Sequence, residues 1–388
     1  MNKKDIAAFK RQLKEDGKVT ISHLGRVFAM GESKDIIYHE AGMFTACDEA
    51  EQDLYFSNFK KLLTGAMDVK LFELPFNPVP AAESLGQRFL YDMLLDDTMA
   101  GFEAKAVQIM EKIVGSAVYE GDLVANFIKA EYLKPSRKDT PFGEEDYSGA
   151  ADTDYKMKFI LCSINKIESG EKSVRFDYRD RRFTVNHDLN AVLNLNAPLE
   201  GFMFPSITDD AVDVNKVLYS TSKADQLNAG LIDFVLDAGY TRTAKEEKEQ
   251  FDTLIKAMVG DKAKAEVVKN IYETVDLAIL EQAEEEVPVV ELAALEKVLK
   301  GNGIDTSRFN VVASEIVGDA KHFKPANVVP GYSKKSMKIS TTTADIVISP
   351  ENLDLLRQVV DRQGRKCLLI QVDEDVEING IKLEVEAL

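Results

Sequence analysis

The chain has 388 residues, 45% hydrophobic and 29% charged, a composition that excludes whole-chain disorder and is long enough for two or three domains with their own cores. Its 66 acidic against 48 basic residues leave a formal charge of -18, so any contact with nucleic acid or an anionic membrane has to be local. Three scattered cysteines, Cys47, Cys162 and Cys367, exclude a disulfide framework; with a charged N-terminus and no long apolar run, they predict a cytoplasmic protein that does not span a membrane.

Ile6, Phe9 and Leu13 share one helical face among Lys3, Lys4, Lys10, Arg11 and Lys14, and Gly17 ends the segment: a short basic amphipathic helix. Residues 19–30 and 35–39 read as a hairpin turning at Gly31-Glu32-Ser33. Asp48 caps a helix through about Leu63, 69–76 returns as a strand, and 80–96 and 101–114 read as helices. Residues 138–154 have loop composition. The run 157–164 is nearly continuous in apolar residues, as in a strand buried on both faces, and the alternating Val174, Phe176 and Tyr178 after it predict a hairpin turning near Ser169-Gly170. Residues 196–205 are apolar but hold Pro198 and Pro205, which suits an edge or packed loop better than a central strand.

From residue 223 the period changes to that of helices, near 224–238, 244–259, 263–285 and 288–300, with Gly239, Gly260 and Gly301 at their ends and strongly acidic outward faces. Residues 345–349 read as a strand, 350–361 as a helix with Pro350 in its first turn, and 366–372 as a strand. Residues 376–383 predict a hairpin, because Asn379-Gly380 supplies both positive φ values of a type I′ turn. The fold class is α+β, with a mixed domain over 1–222, an acidic helical domain over 223–303 and a C-terminal α+β region over 304–388 that ends in the hairpin.

Glycine-rich phosphate loops, H-E-x-x-H and G-x-S-x-G are all absent, and His23, His39, His187 and His322 are isolated in sequence. No catalytic residue, metal or cofactor is assigned on these grounds. Cys162 pairs with His187 only in principle, since an apolar strand makes an inert thiol. Asp152 and Asp154 with Lys156 form the one nuclease-like arrangement, carboxylates for a metal and an ammonium for a developing phosphorane. The clearer signal is charge of the opposite sign. Lys321, Lys324, Lys334, Lys335 and Lys338 occur without an acid through Ala344, and Arg365 and Lys366 extend the segment. In Arg175-Phe176-Asp177-Tyr178-Arg179-Asp180-Arg181-Arg182, aromatics interleave with guanidinium groups, the composition of surfaces that neutralise phosphates and stack on bases.

Phe159-Ile160-Leu161-Cys162-Ser163-Ile164, followed later by Ala197-Pro198-Leu199-Glu200-Gly201-Phe202-Met203-Phe204-Pro205, resembles the bacterial family DUF4317, a domain of unknown function. The resemblance runs over nearly the whole chain, including Val217-Leu218-Tyr219-Ser220-Thr221 and Gly364-Arg365-Lys366-Cys367-Leu368-Leu369-Ile370, and it implies no activity. Asn165-Lys166 stands where the family pattern has a Cys-Pro pair. The order of mixed N-terminal region, acidic helical middle and basic C-terminal segment is also similar to that of the bacterial nucleoid-associated protein family; that likeness implies that an acidic protein can hold DNA through a local patch.

These readings rank a non-enzymatic binding protein first, nucleoid-associated in character and touching phosphate through Arg175, Arg179, Arg181, Arg182 and the 321–366 segment. An interaction scaffold using the acidic helices, with a protein partner or a second copy, is the alternative. A metal-dependent nuclease or phosphoesterase comes last. No membrane partner is expected.

Overall fold

The structure is a computed structural model that describes residues 3–134, 155–168, 174–177, 182–185, 192–208, 211–260, 262–281, 287–329, 337–378, 381–382 and 384–385. The α+β class holds, and the chain divides into two compact units, Met1–Thr243 and Ala244–Leu388.

In the first unit the chain runs α1 (Lys3–Gln12), β1 (Val19–Ala29), β2 (Ile36–Met43), α2 (Glu49–Leu62), β3 (Leu71–Pro75), α3 (Gly86–Leu95), α4 (Met99–Ser116), β4 (Leu123–Lys134) and β5 (Tyr155–Glu168). It continues through β6 (Val174–Asp177), β7 (Arg182–Val185), β8 (Val192–Phe204), β9 (Ser206–Thr208), β10 (Ala211–Asp213), β11 (Lys216–Thr221) and a π-helical turn, Leu231–Leu236. Seven strands form one antiparallel sheet in the order β2-β1-β4-β5-β8-β11-β3. Alternation along β5 sends Phe159 and Leu161 into a core with Phe9 of α1 and Phe59 of α2. Ile160, Cys162 and Ile164 enter a second core with Leu90 of α3, Phe102 and Ile109 of α4 and the π-helical turn. Helices therefore cover both faces, and this double burial is why the centre of β5 is a continuous apolar run.

One transverse row on the α2 side is polar. Cross-strand register places Glu40, Arg26, Asn126, Ser163, Gly201 and Ser220 side by side from β2 to β11. Helix α2 lies over that row, because Asp48 starts it by accepting the Glu51 N–H (2.8 Å) and Glu51, Tyr55, Asn58 and Leu62 follow at helical spacing on one face. Arg26 Nη1 donates to Glu51 Oε1 (2.7 Å) and the Tyr55 hydroxyl (3.3 Å), while Nη2 pairs with Glu40 (2.6 Å). Asn126 Nδ2 and Ser163 Oγ both donate to Asn165 Oδ1 (3.1 and 2.9 Å), and Asn58 Nδ2 donates to the Leu195 carbonyl (2.8 Å). The Ser220 hydroxyl donates to the Leu62 carbonyl.

Several sequence expectations are corrected. Of residues 196–205, all but Pro205 belong to β8, an interior strand between β5 and β11. The missing N–H of Pro198 is tolerated because the β5–β8 register shifts beside Asn165, its partner, and Asn165 Nδ2 reaches the Asn194 carbonyl instead (2.8 Å). Val174–Asp177 pairs with β7 rather than folding back on β5. The helix expected from residue 80 begins at Gly86, since Asp237 holds the Ala81 N–H (2.9 Å) and the Ser84 hydroxyl (2.7 Å) in a turn. The helix expected over 224–238 shrinks to the π-helical turn, its approach pinned by Asn228, whose N–H donates to the Tyr219 hydroxyl (3.1 Å).

In the second unit, α5 (Ala244–Val259), α6 (Ala265–Glu281), α7 (Leu292–Gly301), α8 (Phe309–Val317) and α9 (Pro325–Val328) surround Phe251, Leu254, Ile271, Leu299, Phe309 and Phe323. The short strands β12 (Val290–Glu291) and β13 (His322–Phe323) pair beside them. Three hairpins follow: β14 (Met337–Ser340) with β15 (Asp345–Ile348), β16 (Leu356–Val360) with β17 (Lys366–Ile370), and β18 (Glu377–Ile378) with β19 (Ile381–Lys382). The last is the expected terminal hairpin, although its Asn379-Gly380 turn lies outside the described residues, as do 138–154 and Ser169-Gly170. The helix expected over 350–361 is corrected to a 3₁₀ turn, Pro350–Leu355, and a strand. Asp361 Oδ1 accepts the N–H groups of Gln363 (2.9 Å) and Arg365 (2.8 Å), and Gly364 has φ +81, so turn chemistry folds Val359 and Val360 back against β17.

A Cβ at Gly201 would lie 2.0 Å from the Cys162 carbonyl oxygen and 3.1 Å from Leu62 Cδ2, whereas at Gly42 it would meet nothing within 4 Å. Gly201→Ala is expected to destabilise the first unit by about 1–3 kcal/mol and Gly42→Ala to stay within about 0.5 kcal/mol of the parent in denaturant unfolding.

Candidate functional site

The basic segments come first. Arg175 lies in β6 and Arg182 in β7, at register positions opposite Thr184 and Asp177, on a two-stranded hairpin that is separate from the seven-stranded sheet. Arg179, Arg181, Lys334 and Lys335 lie outside the described residues. In the second unit Lys338 is paired with Asp345 (2.8 Å), and Arg365 Nε with Asp361 Oδ2 (2.6 Å) in the turn just described. Lys324 sits at the start of α9, where its N–H donates to the buried Glu247 carboxylate (2.6 Å). Lys321 and Lys366 are exposed. The net positive charge of 321–366 is thus partly spent on its own acids, Asp345 and Asp361. The two basic segments fall in different units.

Of the nuclease-like set, Asp152 and Asp154 lie outside the described residues, and Lys156 pairs with Glu131 (2.6 Å). Cys162 is fully buried in β5, where burial pushes its thiol well above its ordinary range. Among the described residues no three His, Cys, Asp or Glu side chains converge as a metal site, and no helix is long and apolar enough to cross a membrane.

Two ionisable centres stand out that sequence reasoning did not single out. On the α4 side of the sheet, Lys129 is 4% exposed; its ammonium donates to the Asp96 carbonyl (2.9 Å) and to Asp97 Oδ1 (2.5 Å). Asp96 Oδ2 in turn pairs with Lys105 (2.6 Å). His23 is the cross-strand partner of Lys129 and packs edge-on against Phe102; burial, then the Lys129 charge, hold its imidazole below its ordinary pKa.

The other centre is Glu200, 6% exposed on β8. Its Oε1 accepts from the Tyr119 hydroxyl (2.5 Å) and Asn228 Nδ2 (2.7 Å), and its Oε2 from the Tyr219 hydroxyl (2.6 Å). Burial first, then the carboxylate's charge, raise both phenols far above the ordinary tyrosine value. Both stay protonated and donating throughout the neutral range, so the centre ties together β8, β11, the segment after α4 and the approach to the π-helical turn. The sequence signal was faint: one glutamate in the apolar run Ala197 to Pro205.

Glu200→Ala would leave two buried phenols and an amide without their acceptor and is expected to cost on the order of 3 kcal/mol or more in denaturant unfolding, with Glu200→Gln costing less. A raised phenol pKa favours the folded state in full below the unfolded value of about 10, and this stability is lost as pH rises from there towards the folded value. Absorbance titration of the folded protein should therefore show two tyrosines that do not ionise before alkaline unfolding.

No curated protein matches the chain. The family model of the domain of unknown function DUF4317 matches residues 1–381 of the 388. The near-full-length reach of that match, over the strands and helices that build both units, shows that the chain belongs to the DUF4317 family.

Proposed function

We propose that this protein is a cytoplasmic, non-enzymatic binding protein that holds nucleic-acid phosphate through the basic hairpin of residues 174–185, nucleoid association being the cellular form of that role. The observation that carries the reading is the Arg-rich, aromatic-interleaved composition of a hairpin inserted between β5 and β8, whose strands pair with each other and not with the main sheet. In a protein of charge -18, such a hairpin concentrates cations where guanidinium forks can pair with phosphate. The 321–366 segment contributes less, because Lys338 and Arg365 already face Asp345 and Asp361.

A second reading, a protein-interaction surface, is favoured by exposed apolar side chains on the C-terminal hairpins, with Val347 69%, Val360 66% and Ile381 71% exposed.

Electrophoretic mobility of duplex and single-stranded nucleic acid at low and physiological salt, with and without Mg²⁺, tests the proposal. Expected is a shift that weakens steeply with salt and is lost when Arg175, Arg179, Arg181 and Arg182 are replaced by alanine, while Lys338→Ala and Arg365→Ala change it little. Unshifted nucleic acid at low salt overturns it in favour of the protein-interaction surface, and Mg²⁺-dependent degradation overturns the non-enzymatic part.

A further inference from the structure

The first unit holds a cavity of about 260 Å³ where the end of α2 meets β8 and β11. Its lining is Lys61, Thr64, Lys70, Asn196, Ser220, Thr221 and Ser222, with Leu62 and Pro198 as the apolar wall. Among the described residues no carboxylate lines it, although the protein carries 66 acidic residues.

Lysines in the last turn of a helix ordinarily answer the negative end of its dipole. Here other groups have taken up those carbonyls. The Leu63 N–H takes the Phe59 carbonyl (3.1 Å), the Thr64 hydroxyl the Lys60 carbonyl (2.5 Å), the Thr64 N–H the Lys61 carbonyl (3.0 Å), and the Ser220 hydroxyl the Leu62 carbonyl. Lys61 Nζ gives one hydrogen bond to Asn196 Oδ1 (2.7 Å), which leaves protons of the ammonium and the Asn196 amide N–H groups for a ligand. Lys70 is half-buried, and the Thr221 N–H binds its carbonyl (2.9 Å), which fixes its backbone at the cavity edge. Ser222 is exposed, with its N–H held by the Leu199 carbonyl (2.7 Å). Lys10 of α1 donates to the Thr64 hydroxyl and adds a third cation behind the rim. The nearby Asp225, whose N–H binds the Val69 carbonyl (2.8 Å), is not a lining residue.

We infer that this cavity binds the phosphoryl group of a small phosphorylated compound, with Lys61 and Lys70 as charge partners and Asn196 and Ser222 as hydrogen-bond donors. Two ammonium groups with neutral donors, and no competing acid among the described lining residues, suit a dianionic oxyanion better than a neutral ligand. Space beyond the phosphoryl group, walled by Leu62 and Pro198, suits a monoester better than the free ion. The site is independent of the basic hairpin and stands or falls separately from it.

Titration calorimetry with inorganic phosphate and with adenosine monophosphate tests the assignment on the full chain. Lys61→Gln and Lys70→Gln are each expected to weaken binding about tenfold, and the double variant to abolish it, while Lys300→Gln on α7 removes the same charge without effect. Unchanged thermal unfolding of the double variant separates lost binding from lost fold. Tighter binding of the nucleotide assigns the site to a monoester, and equal affinity to the free ion. Absence of saturable binding by either probe, or binding that survives in the double variant, overturns the inference.

Discussion

The first unit depends on one constraint: the centres of β5 and β8, residues 159–165 and 200–204, are covered by helices on both faces, so polar side chains there cannot turn to water. Every such group has to find a partner inside the protein or cost stability. Two solutions coexist on opposite faces. Under α2, the row from Arg26 to Ser220 hands hydrogen bonds between sheet and helix, which fixes where along the sheet α2 can lie. On the α4 side, Glu200 gathers donors from three separate segments, so the loops at that end of the sheet are positioned by a single carboxylate. Apolar packing alone would tolerate small slides of a helix over a sheet, whereas these directional bonds do not.

Much of this fold was legible in the sequence, and the legible parts share a physical reason. Asp48 before a helix, Gly31-Glu32-Ser33 between two strands and the apolar run at Phe159 are local signals whose partner is a few residues away or simply a buried environment. The failures occurred where a distant or side-chain bond overruled local propensity. Pro198 reads as a bar to an interior strand until a register shift beside Asn165 removes the demand for its N–H. Residues 350–361 have a helical start in Pro350, but Asp361 captures two backbone N–H groups and turns the chain into a hairpin. Neither rescue can be seen without knowing which strand or turn lies opposite.

The candidate sites were less legible, for an electrostatic reason. Counting lysines and arginines along 321–366 measures charge per residue of sequence, whereas binding depends on charge left uncompensated in space. Lys338 and Arg365 lose part of theirs to acids from the same hairpins. Lys61 and Lys70 carried no signal, being ordinary residues on either side of the α2–β3 connection, and acquire one only because β8 and β11 bring Asn196 and Ser222 to them.

Helix α2 links these observations. Its first half is anchored through Glu51 and Tyr55 to Arg26, and its end is anchored through the Leu62 carbonyl to Ser220. Gly201, on the strand between, has no side chain to hold the helix away. The close approach that closes the core therefore also satisfies the Leu62 carbonyl, while Leu63 and Thr64 take up the carbonyls before it, and carbonyls so satisfied make less claim on the Lys61 ammonium. The bonds that order the interior leave a cationic, hydroxyl-lined cavity at the helix end, so in this unit packing and ligand chemistry have one structural cause.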